Sequence, residues 1–446
     1  MNSVANPRPR VIVTTDGEID DRCSMVRFLQ YANEFEIEGI INSSSMFHWD
    51  GHDWEPPDWI ERWIDRYEQV YDNLKQHADG YPAPQYLRNV TFVGNTYHVG
   101  EMGKETPGSN RIVEVLLDEK PGPVYLQAWG GTNTIARALK TIQEQYSLEI
   151  ERVSKQAILY VILDQDRTLM EYIIPNWPTI QVLNSIQQFG CIAYAWKRSM
   201  PPDVAEYFRG PWMEKNILKG HGPLMALYEA YTENHTQRFA DTTLAFEKND
   251  FRSEGDSPAF MHQIDVGLRS LEHPSYGGWG GRFVQIYPFA DTPFTNGPAP
   301  LYGNHWLNAW DDGDINKPIW RWAKAFQNDW ASRADWCIMD FNEANHPPVV
   351  HLNHPEDLIV RPGMTVGLSG TASDPDNDSL SYRWWQYGDA DTYHGTVDIR
   401  NANNKDAYFI VPKDVIPGDT IHIILEVTDS GTPPLTRYRR VIATVE

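Results

Sequence analysis

Up to the Cys337 region, short runs of apolar and β-branched residues alternate with stretches whose apolar positions recur every three or four residues. The runs at 11–15, 35–41, 90–94, 124–128 and 157–163 read as strands buried on both faces. Between them, 25–31, 58–74, 111–117 and 134–146 carry helical spacing. Alternation of this kind predicts an α/β fold with a doubly wound, mostly parallel sheet. Residues 199–313 are rich in Gly, Pro and aromatics and lose this periodicity, which predicts elaborated loops over the functional face of the sheet.

The pattern changes at Asn345, His346, Pro347, Pro348. Beyond it, Leu380, Tyr382 and Trp384, and later Ile421, Ile423, Leu425 and Val427, alternate with polar residues as half-buried strands do. Short strands between turn clusters predict a smaller all-β immunoglobulin-like sandwich at 347–446, after an α/β domain at 1–342. One of those clusters holds Asp374, Asp376 and Asp378. Its spacing suits an ordinary turn and also permits a bound cation.

The chemistry begins where the first strand ends. Asp16, Gly17, Glu18, Ile19, Asp20 and Asp21 place a carboxylate cluster at a strand's carboxyl end, ahead of a helical segment. Ligands of open α/β sheets bind in the crevice beyond such ends. Charges about 4 Å apart repel by about 1 kcal/mol in water and several times more when partly buried, so converging carboxylates favour a cation between them. Calcium, with its loose shell of hard oxygens, suits them. Asp20 or Asp21 is equally able to cap the helix that follows, a role that does not need Asp16. The second strand also ends on polar groups, Asn42 and Ser43 to 45.

Composition narrows the partners. The 446 residues are 22% charged and 41% hydrophobic, enough for a large core plus a second module. A net charge of −23 without a basic stripe argues against nucleic acid and anionic membranes and leaves neutral ligands. No apolar run has the roughly 20 residues of a membrane helix, and Met1 to Arg10 lacks the apolar centre of a secretory signal. Cys23, Cys191 and Cys337 have neither metal-type spacing nor an even count, so buried apolar roles are expected. Trp49 and Trp54 lie among turn formers, with His48, Asp50, His52 and Asp53, and offer faces for stacking on a sugar ring, whereas Trp59 and Trp63 have helical spacing and read as core.

The strand followed by Asp16 and by Ile19, Asp20, Asp21 resembles the amino-terminal signature of the nucleoside hydrolase superfamily. The turn at 130–136, from Gly130 through Asn133 to Ala136, is similar to that superfamily's Gly-Pro-Leu-Thr-Asn-Ile-Ala turn, and Glu254, Gly255, Asp256, Ser257, Pro258 to its late acidic ligand opening a helix. Over nearly the whole chain the likeness is closer to a cellulose-binding-protein-like branch, with a nucleoside-hydrolase-like domain and a carboxyl-terminal β-sandwich. Asp164, Gln165, Asp166, the stretches at 216–224 and 254–260, His273, Pro274 with 277–282, Asp335 to 337 and 343–348 carry it.

The resemblance implies Ca2+ held by Asp16, Asp21, Asp256 and the main-chain carbonyl of Asn133. Asp16 would be general base, Asp20 and Asn42 would meet sugar hydroxyls, and Asp164 and Trp279 would be further substrate contacts. For the leaving group's proton the candidates are Asp166, Glu254 and His221. Three departures bear on the reaction: Thr14 stands where the superfamily usually has another Asp, Gly17 and Glu18 replace Pro and Gly, and Gly255 stands where many members carry a His that helps the base leave. Purine or pyrimidine release is therefore not the expected reaction. A calcium-dependent hydrolase of an O- or N-glycosidic bond in a neutral sugar-containing substrate is one expectation. A carbohydrate-binding protein, for a cellulose-like polysaccharide, that keeps the pocket without turnover is the alternative. The resemblance implies a secreted or periplasmic protein, with a cytoplasmic one left open, as is an oligomer.

Overall fold

The computed structural model describes residues 8–53, 56–239, 242–285 and 304–446. In chain order its first ten strands are β1 (Arg10–Thr15), β2 (Glu36–Asn42), β3 (Thr91–Val93), β4 (Val124–Ala128), β5 (Ala157–Ile162), β6 (Gln181–Ser185), the hairpin of β7 (His235–Arg238) and β8 (Thr243–Phe246), β9 (Phe283–Gln285) and β10 (His305–Asn308). Apart from the hairpin they form one eight-stranded sheet, ordered β3-β2-β1-β4-β5-β6-β10-β9 and parallel except for β9. The first helices are α1 (Ile19–Gln30), α2 (Trp59–His77), α3 (Pro84–Asn89), α4 (Pro107–Leu117) and α5 (Asn133–Gln145).

Period-two alternation divides the core between the two faces of the sheet. Val11 and Val13 of β1, Tyr125 of β4 and Tyr160 of β5 join Phe28, Trp59 and Trp63 in one cluster. Ile12, Leu126 and Leu159 point the other way, onto Ile112 of α4 and Ile135 of α5. The doubly wound expectation is met, with the five expected strands in place. Two differences stand out. The first helix starts at Ile19, well before the apolar spacing at Met25, because its first turn is given to Asp20 and Asp21. The polar five-residue β6 and the antiparallel edge escaped sequence reading, being too short to show a period. All three cysteines are free and buried. No described helix is long and apolar enough to cross a membrane.

The carboxyl-terminal part is a two-sheet, immunoglobulin-like sandwich. Its strands are β11 (Val349–Leu352), β12 (Asp357–Val360), β13 (Thr365–Ser373), β14 (Ser381–Gln386), β15 (Asp406–Ile410), β16 (Thr420–Thr428) and β17 (Thr436–Val445). They pair as β11-β13-β15 and β12-β17-β16-β14. Alternation along 421–427 predicts one wet face for β16, yet Ile421 through Leu425 are all buried. Ile421, Ile423 and Leu425 fill the sandwich, while Ile424 joins the α/β domain's own core with Tyr387 and Tyr438. Trp322, from the α/β domain, lies 5.3 to 5.8 Å from the rings of Trp385, Tyr387 and Tyr438. The fully buried Arg440 donates to the carbonyls of Leu268, Tyr276 and Gly277 at 2.7, 2.6 and 3.2 Å. Arg437 pairs with Asp329 at 2.7 Å, and Tyr387 donates to Asp311 at 2.8 Å.

This junction is therefore a core rather than a hinge. A chain cut after Asn345 leaves Trp322 uncovered and Asp329 and Asp311 without sandwich partners. Breaking one buried ion pair costs about 3–5 kcal/mol, so the truncated chain should aggregate. Size-exclusion chromatography of the soluble fraction checks this; a monomeric, cooperatively folded fragment would contradict it.

Candidate functional site

The strand order reverses direction between β1 and β4, the switch point at which an open α/β sheet leaves a crevice. Asp16 is the first residue past β1 and stands in that crevice. Across from it, the turn after β4 comes so close that a Cβ on Gly130 would lie 2.8 Å from the Asp16 Cβ, and one on Gly131 would lie 2.5 Å from the Ser44 carbonyl. The two glycines at this turn are needed for backbone approach.

Glu18 occupies the N-cap position of α1, without a side-chain cap hydrogen bond. Asp20 and Asp21 follow in its first turn, 3% and 2% exposed. The third element is a short helix, Ser257–Met261, whose cap position is Asp256, 1% exposed. It brings Asp256 in from far along the chain: carboxylate oxygens of Asp20, Asp21 and Asp256 all lie within 4.8 Å of one another. Asp16 adjoins them, its backbone N–H donating to Asp21 Oδ1 at 3.2 Å, and its carboxylate groups with Glu18 and His48 at the same spacing. Thr15 also donates to Asp21. Asp16 Oδ2 and Asp256 Oδ2 are buried and have no hydrogen-bond partner among the described residues.

These carboxylates repel. Burial, then Asp16, pushes the Asp20 carboxyl up to about 7. Burial and then the charges of Asp20 and Asp16 push Glu18 up to about 8. Asp21 and Asp256 are raised well above the ordinary range, by burial first and by their acidic neighbours next. A set of acids strained in this way, with bare buried oxygens and hard donors only, fits a calcium ion. The Tyr194 hydroxyl reaches Glu18 at 3.2 Å and Asp20 at 3.4 Å, closing one side.

The other expected residues separate into two groups. Asn133 opens α5; its Nδ2 donates to Ser44 Oγ and to the Asn95 and Glu101 carbonyls, while its Oδ1 is buried and unpartnered. Asp164 keeps a buried unpartnered Oδ1, and burial followed by Asp166 raises its carboxyl to about 6. Trp49 is half-buried, its ring 4.0 Å from that of His52 and 6.0 Å from that of His98. Trp54 lies outside the described residues, as does 286–303 of the expected loop region.

Several residues are engaged elsewhere. Both oxygens of Asp166 hold the start of α5, accepting from Asn133 N at 2.8 Å and from Thr168 at 2.8 and 3.0 Å. Glu254 is fully buried in a two-pronged pair with Arg27 at 2.5 and 3.1 Å. His221 is pinned between the Lys215 carbonyl and Asp335, at 3.1 and 3.0 Å, on the segment packed against α2. Trp279 is 1% exposed and lies in the core against Phe326. Asn42 binds Trp59 Nε1 at 3.1 Å and the Pro57 carbonyl at 3.3 Å, fixing the entry to α2. A Cβ on Gly255 would lie 2.1 Å from the Phe189 ring and 2.8 Å from Asp20 Oδ2. Phe189 thus fills the place of the missing His. Glu18 was visible in the acidic loop itself, but nothing near Tyr194 or Phe189 in sequence marks them.

A parallel sheet with an acidic crevice at the end of β1 defines a nucleoside-hydrolase-like protein. Residues 10–283 match the nucleoside hydrolase-like domain of the cellulose-binding Sde182 family, and the chain belongs to this family. Residues 365–445 match the C-terminal domain of cellulose-binding protein Sde0182. The chain is similar to a nucleoside hydrolase-related protein from Saccharophagus degradans associated with carbohydrate metabolism, at 32% identity, over 98% of this chain and 100% of that one, with a TM-score of 0.78. An effector protein matches over 75% of this chain and 95% of its own, at 10% identity and a TM-score of 0.36. No curated protein matches the chain.

Proposed function

We propose that the crevice at the end of β1 binds a neutral sugar-containing ligand through a calcium ion and hydrolyses an O- or N-glycosidic bond in it. The observation that supports this most is the meeting of Asp20, Asp21 and Asp256 within 4.8 Å, with bare oxygens on Asp16 and Asp256. Asp16, Asp21 and Asp256 would hold the ion, with the main-chain carbonyl of Asn133, in the turn after β4, as the fourth ligand. When bound, calcium would acidify a water and align sugar hydroxyls. Asp16 would accept the water's proton through an oxygen to which none of the described residues donates. Asp20 accepts from a sugar hydroxyl, steadied by Tyr194. The carboxylate floor stabilises positive charge developing at the anomeric carbon. His48, whose ring nitrogen lies within 4.8 Å of carboxylate oxygens of Asp16 and Glu18, would be placed to pass a proton to the leaving group. The family's cellulose-binding description supports a carbohydrate ligand, and with it a place outside the cytoplasm, where that polymer lies.

One observation favours the second reading, carbohydrate binding without turnover: Phe189 closes the place of the usual His, and Asp166, Glu254 and His221 are all engaged in holding the fold. Calorimetry with calcium and a panel of sugars and cello-oligosaccharides, beside an assay for released sugar, separates the two. Calcium-dependent binding with product supports hydrolysis; binding with no product under any condition leaves only recognition.

A further inference from the structure

A second oxygen-lined cluster lies where the linker enters the sandwich. Asp374, Asp376 and Asp378, in the loop after β13, offer carboxylate oxygens within 4.8 Å of one another. Taken alone this is a turn, since Asp374 Oδ1 accepts from the backbone N–H of Asp376 and Asp378 at 2.9 and 3.0 Å.

What lies behind the turn is different in kind. Asp429, just past β16, is 5% exposed; its Oδ1 accepts from the N–H of Gly431 and Leu435 at 3.0 Å each and from Asn345 Nδ2 at 3.3 Å. Its Oδ2 is buried and has no partner among the described residues. Asn345, 7% exposed, uses its Nδ2 on Asp429 and on the Pro433 carbonyl, and its Oδ1 is likewise buried and bare. So is Asp374 Oδ2. The three segments are stitched together: His346 N donates to Asp376 at 2.6 Å, and Ser430 donates to Asp378 at 3.2 Å. Burial first, and the nearby charge of Asp374 as well, raise the Asp429 carboxyl to about 6. Asp374 and Asp429 each have their donors on one oxygen and nothing on the other, which is how a metal-ligating carboxylate is held. Buried oxygens without donors are unfavourable unless something outside the chain satisfies them.

We propose that Asp374, Asp376, Asp378, Asp429 and Asn345 hold a calcium ion at the domain junction. The donors are all hard oxygens, from three segments, in an irregular arrangement that suits calcium better than the strict octahedron of magnesium. The carbonyl of Asn345 accepts from Ser332 and Trp336 of the helix Ala323–Trp336 at 2.6 and 3.0 Å, so the ion fixes the sandwich to the α/β domain. This site is independent of the crevice and of any activity there.

The test uses the full chain, stripped with chelator and carrying Asp256→Asn to disable the crevice, with calcium alone titrated by calorimetry. One equivalent should still bind. Adding Asp374→Asn and Asp378→Asn should remove it, together with a calcium-dependent rise in Tm of about 5 °C at a hundredfold excess over Kd. Asp429→Asn, of the same shape, should do the same, so misfolding of the double variant does not decide the matter. The proposal is overturned if the Asp256→Asn chain, folded by circular dichroism, binds no calcium, or if its bound equivalent survives Asp429→Asn.

Discussion

Asp16→Ala is expected to abolish turnover of any glycoside the protein cleaves and to weaken calcium binding in the crevice about a thousandfold. One unit charge at about 4 Å is worth about 4 kcal/mol at the effective dielectric of a partly buried site, which is about three decades in Kd. The fold should survive. Among the described residues, Asp16 Oδ2 has no hydrogen-bond partner and Oδ1 accepts only from the N–H of Glu18, at 3.3 Å. In the metal-free protein the change removes a repelling neighbour from Asp20 and Asp21 and should stabilise slightly. Calorimetry on the chelated variant and a product assay check the two halves separately. Undiminished turnover would remove Asp16 from the chemistry, and unchanged calcium affinity would remove it from the ligand set.

The second large effect is on stability against pH. Asp20 and Glu18 titrate in the folded chain near 7 and 8, against ordinary carboxylate values near 4, and Asp21 and Asp256 are raised as well. Between those limits the folded chain binds more protons than the unfolded one, so stability falls as pH rises. A carboxyl that titrates one pH unit higher folded than unfolded carries about 1.4 kcal/mol, giving a loss on the order of several kcal/mol for this set between pH 5 and 8. Chelator-treated protein should therefore melt lower at pH 8 than at pH 5. Calcium should reverse the slope, because it binds the ionised carboxylates. Tm measured across that range with chelator and with calcium tests both signs, and a chelated protein most stable at pH 8 would contradict the account.

Much of the architecture was legible because strands buried on both faces leave apolar runs that no other element explains, as in β1 and β4. The acidic loop was legible as well: Asp16, Asp20 and Asp21 are adjacent in sequence and stay adjacent in space. The capping alternative for Asp20 or Asp21 is answered by geometry, since the N-cap position belongs to Glu18. Burial could not be read for β16. Alternation along a strand reports one packed face, and it is silent when a second domain covers the other, as the α/β domain does here by taking Ile424 into its core.

Residue type alone also misled where a polar group serves the fold. Glu254, Asp166 and His221 have the chemistry of proton donors, but a carboxylate paired with buried Arg27, or one holding a helix start, is closed to a substrate. Only the packing shows which partner each has. Phe189 and Tyr194 come to the crevice from a segment with no motif of its own.

By itself, then, the sequence determined the parallel sheet, the position of its acidic mouth and the change to a β-sandwich after Asn345, because these follow from local periodicity and neighbouring residues. Tertiary structure alone decided that Phe189 occupies the space beside Gly255 and that the sandwich shares the α/β domain's core, and it supplied the geometry by which Asp256, implied by the family resemblance, meets Asp21. Those facts depend on contacts between residues far apart in the chain, whose distances are set by how whole elements pack.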